Sequence, residues 1–395
     1  MLIVGGGIIG LAIAWRARLQ GMTVTLLERD ATGGATSHVA AGMLAPVAEV
    51  EFGPAGRRLL ELGLRSARLW PAFAAELEAA GGMAVGLLGT GTLLLAGDED
   101  EARELERQLA FRESLGLRVQ RLRASEARER EPALAPGLRL ALRAPDDHSV
   151  DPRLVLAALR SACASAGVRL CERAPVAAVA LDDAGERVAG VALESGERLG
   201  AGTVVLAAGP WSGEIAGLPA GAGVPVRPVK GQIVRLRDPA GPGLVSEVLR
   251  FRGGYVVPRG DGRYVLGATV EERGFGARPT AGAVYELLRD AAELLPGISE
   301  LEIEELSVGF RPGTPDNVPA IGAGILEGLV WATGHHRNGI LLAPLTAELV
   351  VDLLQGGARA QDSDSLLALC APWRFAGSSA GQPGAPAGEP LAALP

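Results

Sequence analysis

The 395-residue chain has only three cysteines, Cys163, Cys171 and Cys370, and their spacing is neither that of a metal-ligand set nor that of a redox pair. Reduced, buried thiols in a cytoplasmic protein are the expectation, and no metal site is expected. Positive charge is in deficit: 38 Lys and Arg stand against 46 Asp and Glu, giving a formal net charge of −8 and a pI near 5.3. That balance argues against nucleic acid or an anionic membrane as a partner. A membrane-spanning run is lacking as well. The uncharged residues 1–15 have no basic head, are too short to cross a bilayer, and carry glycines at nucleotide-loop spacing.

What is present describes an ordinary globular protein, with 48% hydrophobic and 21% charged residues. The length suits two domains, or one large core with a satellite. No internal repeat is visible. Residues 375–395, rich in Ala, Gly, Ser and Pro, are expected to be a disordered tail.

Periodicity predicts a βαβ opening at the first residue: strand Leu2–Val4, helix Ile9–Gln20 closed by Gly21, strand Thr23–Glu28. Helices follow over about 56–80, 98–115 (capped by Asp98) and Val150–Ala166, with a strand at Leu87–Leu95. Strands are predicted near 168–171, 176–180, 190–193 and at Val204–Ala207. From 224 to 309 the pattern is richer in strand: Gln232–Arg237, Glu247–Arg252, Tyr255–Arg259 and Tyr264–Thr269, with one helix at Thr280–Leu295. Leu329–Thr333 and Gly339–Leu354 return to strand then helix. The expected class is α/β, or α+β taken overall. A discontinuous Rossmann-like nucleotide domain (1–85, 140–222 and 315–358) carries an inserted substrate domain with a mixed or antiparallel sheet (86–139 and 223–314).

Gly5-Gly6-Gly7-Ile8-Ile9-Gly10 fits GxGxxG between a strand and a helix. Gly5 permits the tight turn, Gly7 lets a pyrophosphate approach the backbone, and Gly10 lets helix and strand pack closely. Glu28 ends the next strand, where a carboxylate accepts from ribose hydroxyls and repels a 2′-phosphate. Arg29, beside it, is assigned to the same site with its head toward solvent. NAD and FAD share these features. FAD is favoured by the further small-residue segments: Thr36-Ser37, Ala40-Ala41-Gly42-Met43, and the strand ending Ala207-Ala208-Gly209. Val176, Ala208, Gly209 and Trp211 are assigned to the same cofactor site. The closing run Gly334–Pro344 puts His336, Arg337, Asn338, Gly339, Ile340 and Leu341 at a turn and helix start, where free N–H groups and partial positive charge suit an electron-rich ring edge.

Together, Ala40–Pro46, Pro228-Val229-Lys230-Gly231-Gln232, Tyr255-Val256-Val257-Pro258-Arg259, Gly309–Thr314 and Gly334–Pro344 resemble the D-amino-acid-oxidase-like family of flavoenzymes. Within it they are most similar to the branch that oxidises glycine and small amines for the thiazole part of thiamine. The resemblance spans residues 1 to about 355. It implies FAD as cofactor, a small amino acid or amine as substrate, and molecular oxygen as acceptor. Oxo acid, ammonia and hydrogen peroxide are then the products. It assigns Arg311 and Tyr255 to the substrate carboxylate, and Arg337 to the same pocket as a holding or charge-balancing group. A guanidinium suits a carboxylate because it forks onto it in two parallel charge-assisted bonds. Family members commonly self-associate, so a homo-oligomer is compatible.

The resemblance departs at His336, where relatives carry an aromatic, and at Gly253-Gly254, which leave little side chain before Tyr255. Of the pair His335 and His336, at most one is expected to face the site. No general base is demanded, because hydride loss from a neutral amine gives the imine directly. A dehydrogenase of D-amino acids or sarcosine with another acceptor is the alternative within the class. A flavin-free binding protein and an NAD dehydrogenase are the alternatives outside it.

Overall fold

The structure is a computed structural model and describes residues 1–356 and 361–376. Leu2–Val4 lies inside a six-stranded sheet whose order is Ala320–Ala323, Leu329–Thr333, Val204–Leu206, Leu2–Val4, Thr25–Leu27, Arg169–Cys171. All neighbours run parallel except the edge pair Ala320–Ala323 with Leu329–Thr333. Short, continuously apolar strands are what a parallel sheet covered on both faces requires. Helix Ile8–Leu19 is buried almost all round, from Ile8 to Trp15 and at Ala17. It has no solvent face to keep polar because Pro152–Ser165 and Gly339–Gln355 pack against it.

The second sheet has eight strands in the order Glu302–Gly313, Arg227–Arg237, Arg263–Gly267, Gly254–Pro258, Val248–Phe251, Thr92–Ala96, Leu140–Ala144, Gln120–Arg123. It is antiparallel apart from the parallel pair Val248–Phe251 with Thr92–Ala96. Helix Ala281–Leu294 packs on it through Leu287, Ala291 and Leu294. This is the Rossmann-like sheet with a separate, mostly antiparallel one that the pattern implied. A three-stranded unit, Val176–Leu181, Val188–Leu193 and Arg198–Gly200, completes the parallel side.

Several expectations need correction. The strand set at Leu87–Leu95 is only Thr92–Ala96, because Gly91 sits at φ +95° and breaks the run, while Leu88 makes an isolated bridge to Ser149. Leu140–Ala144 joins the eight-stranded sheet, although the boundary at 140 put it with the nucleotide segments. The 12-residue strand Glu302–Gly313 was not predicted at all. It is an edge strand, the position where a proline such as Pro312 is tolerated. Phe375, put in the tail, is buried and closes the turn Pro372–Phe375; residues 377–395 lie outside the described residues. Cys163 and Cys370 are buried, and burial pushes both thiols up to about 12, whereas Cys171 is half-buried. Among the described residues no helix is long and apolar enough to cross a membrane.

Candidate active site

The carboxyl ends of three neighbouring parallel strands open onto one cavity of about 500 Å³, where Gly5, Glu28 and Ala207 follow their strands directly. Open α/β sheets bind ligands at such ends. Gly5 has φ +109°, and a Cβ there would come within 2.4 Å of the Ala207 carbonyl oxygen. Gly10 does not line the cavity. Its bare face lets helix and strand meet, since a Cβ would stand 1.9 Å from the Gly5 oxygen. Helix Ile8–Leu19 starts with no side-chain cap and no acid in its first turn, and Ile8 N–H donates to Ser37 Oγ at 3.2 Å. Glu28 accepts from Gly6 N–H at 2.7 Å and Asp30 N–H at 2.9 Å. Arg29, half-exposed and paired with Asp30, also lies 4.5 Å over the Trp211 ring and lines the cavity.

The wall at Ala40–Met43 is gripped from behind. Gly42 has φ +83°, and a Cβ there would fall 2.0 Å from the Val150 carbonyl. Arg259 donates to the Ala41 and Val150 carbonyls at 2.7 and 3.0 Å. Arg235 donates to the His38 and Val39 carbonyls at 3.0 and 3.2 Å. Asp151 is the counter-charge to Arg259 at 3.8 Å, and burial still pulls that guanidinium down to about 10. Replacing Arg259 by Met frees two carbonyls behind this wall. FAD affinity, measured by titrating apoprotein, is expected to fall roughly 30-fold, the equivalent of about 2 kcal/mol. Lysine is expected to restore little of it, having no fork.

Tyr255 on Gly254–Pro258 and Arg311 on Glu302–Gly313 meet in the same cavity. Arg311 donates through Nη1 to the carbonyls of Thr269 at 3.0 Å and Lys230 at 3.4 Å, and Tyr255 lies close enough to act on it electrostatically. Among the described residues no carboxylate forms an ion pair with Arg311. Burial pulls its pKa below the usual arginine range, and burial pushes the Tyr255 phenol up. Two glycines clear the space: a Cβ on Gly231 would lie 2.5 Å from Arg311 Nη1, and one on Gly267 would lie 2.8 Å from the Tyr255 hydroxyl. Thr36 Oγ1, bonded to the Phe310 carbonyl at 2.9 Å, joins the cofactor loop to the Arg311 strand.

In the closing turn, Arg337 lines the cavity and ion-pairs with Glu51 at its outer side. Both histidines line the cavity, not one at most. Burial takes His335 down to about 3, and its ring bonds Thr346 Oγ1 at 3.0 Å. Burial first, then Arg337, Arg311 and Arg227, take His336 down to about 3. Both are neutral imidazoles. Helix Gly339–Gln355 begins with Gly339 and Ile340 on the cavity, but Asn338 and Leu341 face a smaller adjoining cavity instead. The Leu341 carbonyl is taken by Ser66 Oγ and Trp70 Nε1. Asn338, Leu341 and Gly10 therefore do not line the main cavity. The other assigned cofactor residues, namely Gly7, Ile9, Ser37, Ala40, Met43, Val176, Ala208 and Gly209 with those above, do line it.

Residues not anticipated include Glu49, Gly231, Gly309 and Pro312. A lone glycine inside a strand-forming run signals close approach of another group, and Gly231 shows that signal. Glu49 shows none.

A glycine-lined helix start with no side-chain cap and no acid in its first turn, a carboxylate at the next strand end, and a cavity running on to a second sheet fit a flavin dinucleotide. They define an FAD-dependent oxidoreductase. The chain belongs to the family described as FAD dependent oxidoreductase, which it matches over residues 1–353. It is 39% identical over 355 residues to glycine oxidase of Geobacillus kaustophilus (strain HTA426), covering 89% of this chain and 92% of that one. It is 39% identical over 360 residues to the bifunctional protein ThiO/ThiG of Synechocystis sp. (strain ATCC 27184 / PCC 6803 / Kazusa), covering 90% of this chain and 51% of that protein. The crystal structure of glycine oxidase from Geobacillus kaustophilus superposes with a TM-score of 0.83 at 37% identity, covering 91% of this chain and 95% of that one. FAD is the cofactor, and the enzyme is an FAD-dependent oxidase.

Proposed function

We propose that the enzyme oxidises glycine and small amines to the oxo acid, ammonia and hydrogen peroxide. The observation that carries this is Arg311, a largely buried guanidinium that faces the cavity with carbonyl partners and no ion-paired carboxylate among the described residues. A substrate carboxylate supplies the charge that burial makes Arg311 need, through two parallel bonds. Tyr255, a neutral phenol, adds an O–H donor to the same group. Arg337 contributes positive field at the same end, and His335 and His336 add none.

Bound FAD supplies a two-electron acceptor for the Cα hydride and returns the electrons to dioxygen. The protein's part is orientation and exclusion of water: the carboxylate is pinned between Arg311 and Tyr255, which fixes the direction of Cα. No side chain has to remove a proton from carbon: once the bound ammonium has given up one proton, the amine that loses hydride from Cα becomes the iminium, the protonated imine, directly. Water then hydrolyses the imine. The Geobacillus and Synechocystis relatives support glycine as the substrate and the thiazole branch of thiamine as the use of the product.

The test is a panel of glycine, sarcosine, D-alanine, D-proline and L-proline, read by peroxide release under air. Glycine is expected to be turned over with one peroxide per glyoxylate. Inert glycine beside reactive bulky D-amino acids would overturn the substrate. Reduction of a dye with no peroxide would overturn oxygen as the acceptor.

A further inference from the structure

Glu49 is an unassigned charge in this cavity, which Glu194 and Glu214 also line, and it is the one that shares a second cavity with His336 and Arg337. Glu28 is occupied by the Gly6 and Asp30 N–H groups. Glu49 instead follows the strand Met43–Leu44, its N–H bonded to the Ala45 carbonyl at 3.0 Å. It lines the main cavity and also the adjoining one of about 20 Å³, sharing both with His336 and Arg337. Its side chain is 17% exposed, and its ion-pair partner is Arg250, at 3.5 Å. Its negative field reaches both Arg311 and Tyr255. The substrate end thus presents two guanidiniums, two neutral imidazoles and one carboxylate.

An α-amino acid carries the complementary pattern: a carboxylate and an ammonium on either side of one carbon. Arg311 answers the first, and the other charge needs an anionic acceptor. We infer that Glu49 receives the amino group of the substrate and so makes the site selective for acids that carry a free or singly alkylated amine. The inference rests on the proposed function and adds a specificity-determining residue to it. The same carboxylate opposes a second carboxylate on the substrate, whether on the side chain or on the amine. It also opposes simple acids that have no amine to offer. Selection of this kind works by repelling the wrong charge as much as by attracting the right one.

The test compares holoenzyme of wild type and Glu49→Gln, an exchange that keeps the side-chain shape. Acetate affinity is read from the perturbation of the flavin spectrum. Glycine affinity is read from the concentration dependence of anaerobic flavin reduction. Glu49→Gln is expected to weaken glycine roughly 30-fold and to tighten acetate several-fold, about 3 to 10 times, because one attraction and one repulsion vanish together. Glu49→Asp is expected to restore part of the glycine affinity. A merely structural role moves both ligands the same way. Losing glycine and acetate in step, or keeping both, would overturn the inference. Failure of the functional proposal is separate: wild-type flavin that no amine reduces.

Discussion

Arg311→Met is expected to lower kcat/KM for glycine by roughly three orders of magnitude, about 4 kcal/mol, while leaving the fold as stable as before. The loss follows from removing one partner of a desolvated, doubly hydrogen-bonded charge pair. The stability half of the statement is the less obvious one. Arg311 is a charge taken largely out of water, and burial already draws its pKa down. Replacing such a group by an apolar chain of similar length removes a desolvation penalty. Against that stands the loss of Nη1 from the Thr269 and Lys230 carbonyls, and the Lys230 carbonyl keeps Glu271 N–H at 3.0 Å. The two effects oppose each other at about 1 kcal/mol each, so the melting temperature is expected to stay within a few degrees. Glycolate, a non-amine carboxylate, should stabilise wild type against heat and leave Arg311→Met unaffected, as linkage requires. Unchanged substrate constants in the variant would remove Arg311 from the carboxylate site.

The parts of this enzyme that could be read from its sequence are those whose determinants lie within a few residues of one another. Gly5, Gly7 and Gly10 with Glu28 span one βαβ unit, and the structure puts Gly5 and Glu28 at adjacent strand ends with Gly7 and Gly10 at the helix start between them. The strand Glu302–Gly313 is different: its acidic start and Pro312 read as loop, and only pairing with Arg227–Arg237 along its full length makes it a strand. Tertiary context overrode local preference there. Arg311 was nonetheless assigned, because its motif is recognisable without knowing its secondary structure. The closing turn shows the opposite failure. Treating Asn338 to Leu341 as one lining ignored helix geometry, in which successive side chains turn by about 100°. Gly339 and Ile340 reach the cavity, while Leu341 lies on the smaller adjoining one. Glu49 had no local pattern to betray it, since its partners at the site are separated from it by some 200 residues or more. Histidine neutrality was equally invisible, because it depends on burial and, for His336, on Arg311 and Arg227 brought in from other strands beside its neighbour Arg337.

Gly231→Ala is expected to reduce kcat/KM for glycine about 100-fold without loss of stability, a combination that follows from what its new methyl would touch. The added Cβ would lie 2.5 Å from Arg311 Nη1, 2.7 Å from Nη2 and 2.8 Å from Cζ. Those atoms end a flexible side chain, so the fold has no need to shift; the guanidinium moves, and with it the carboxylate site. Alanine in a strand interior is otherwise favoured over glycine by about 0.5–1 kcal/mol, which opposes any residual crowding. Gly309, directly opposite Gly231 in the ladder, is the control. A Cβ there would press on Val39 at 3.2 Å, not on the guanidinium. Gly309→Ala should therefore leave the glycine Michaelis constant nearer to wild type. The decisive comparison is the double variant. If Gly231 acts through Arg311, adding Gly231→Ala to Arg311→Met costs nothing further, and the cycle shows strong non-additivity. Two losses that simply multiply would mean that Gly231 serves the site by some route other than making room for Arg311.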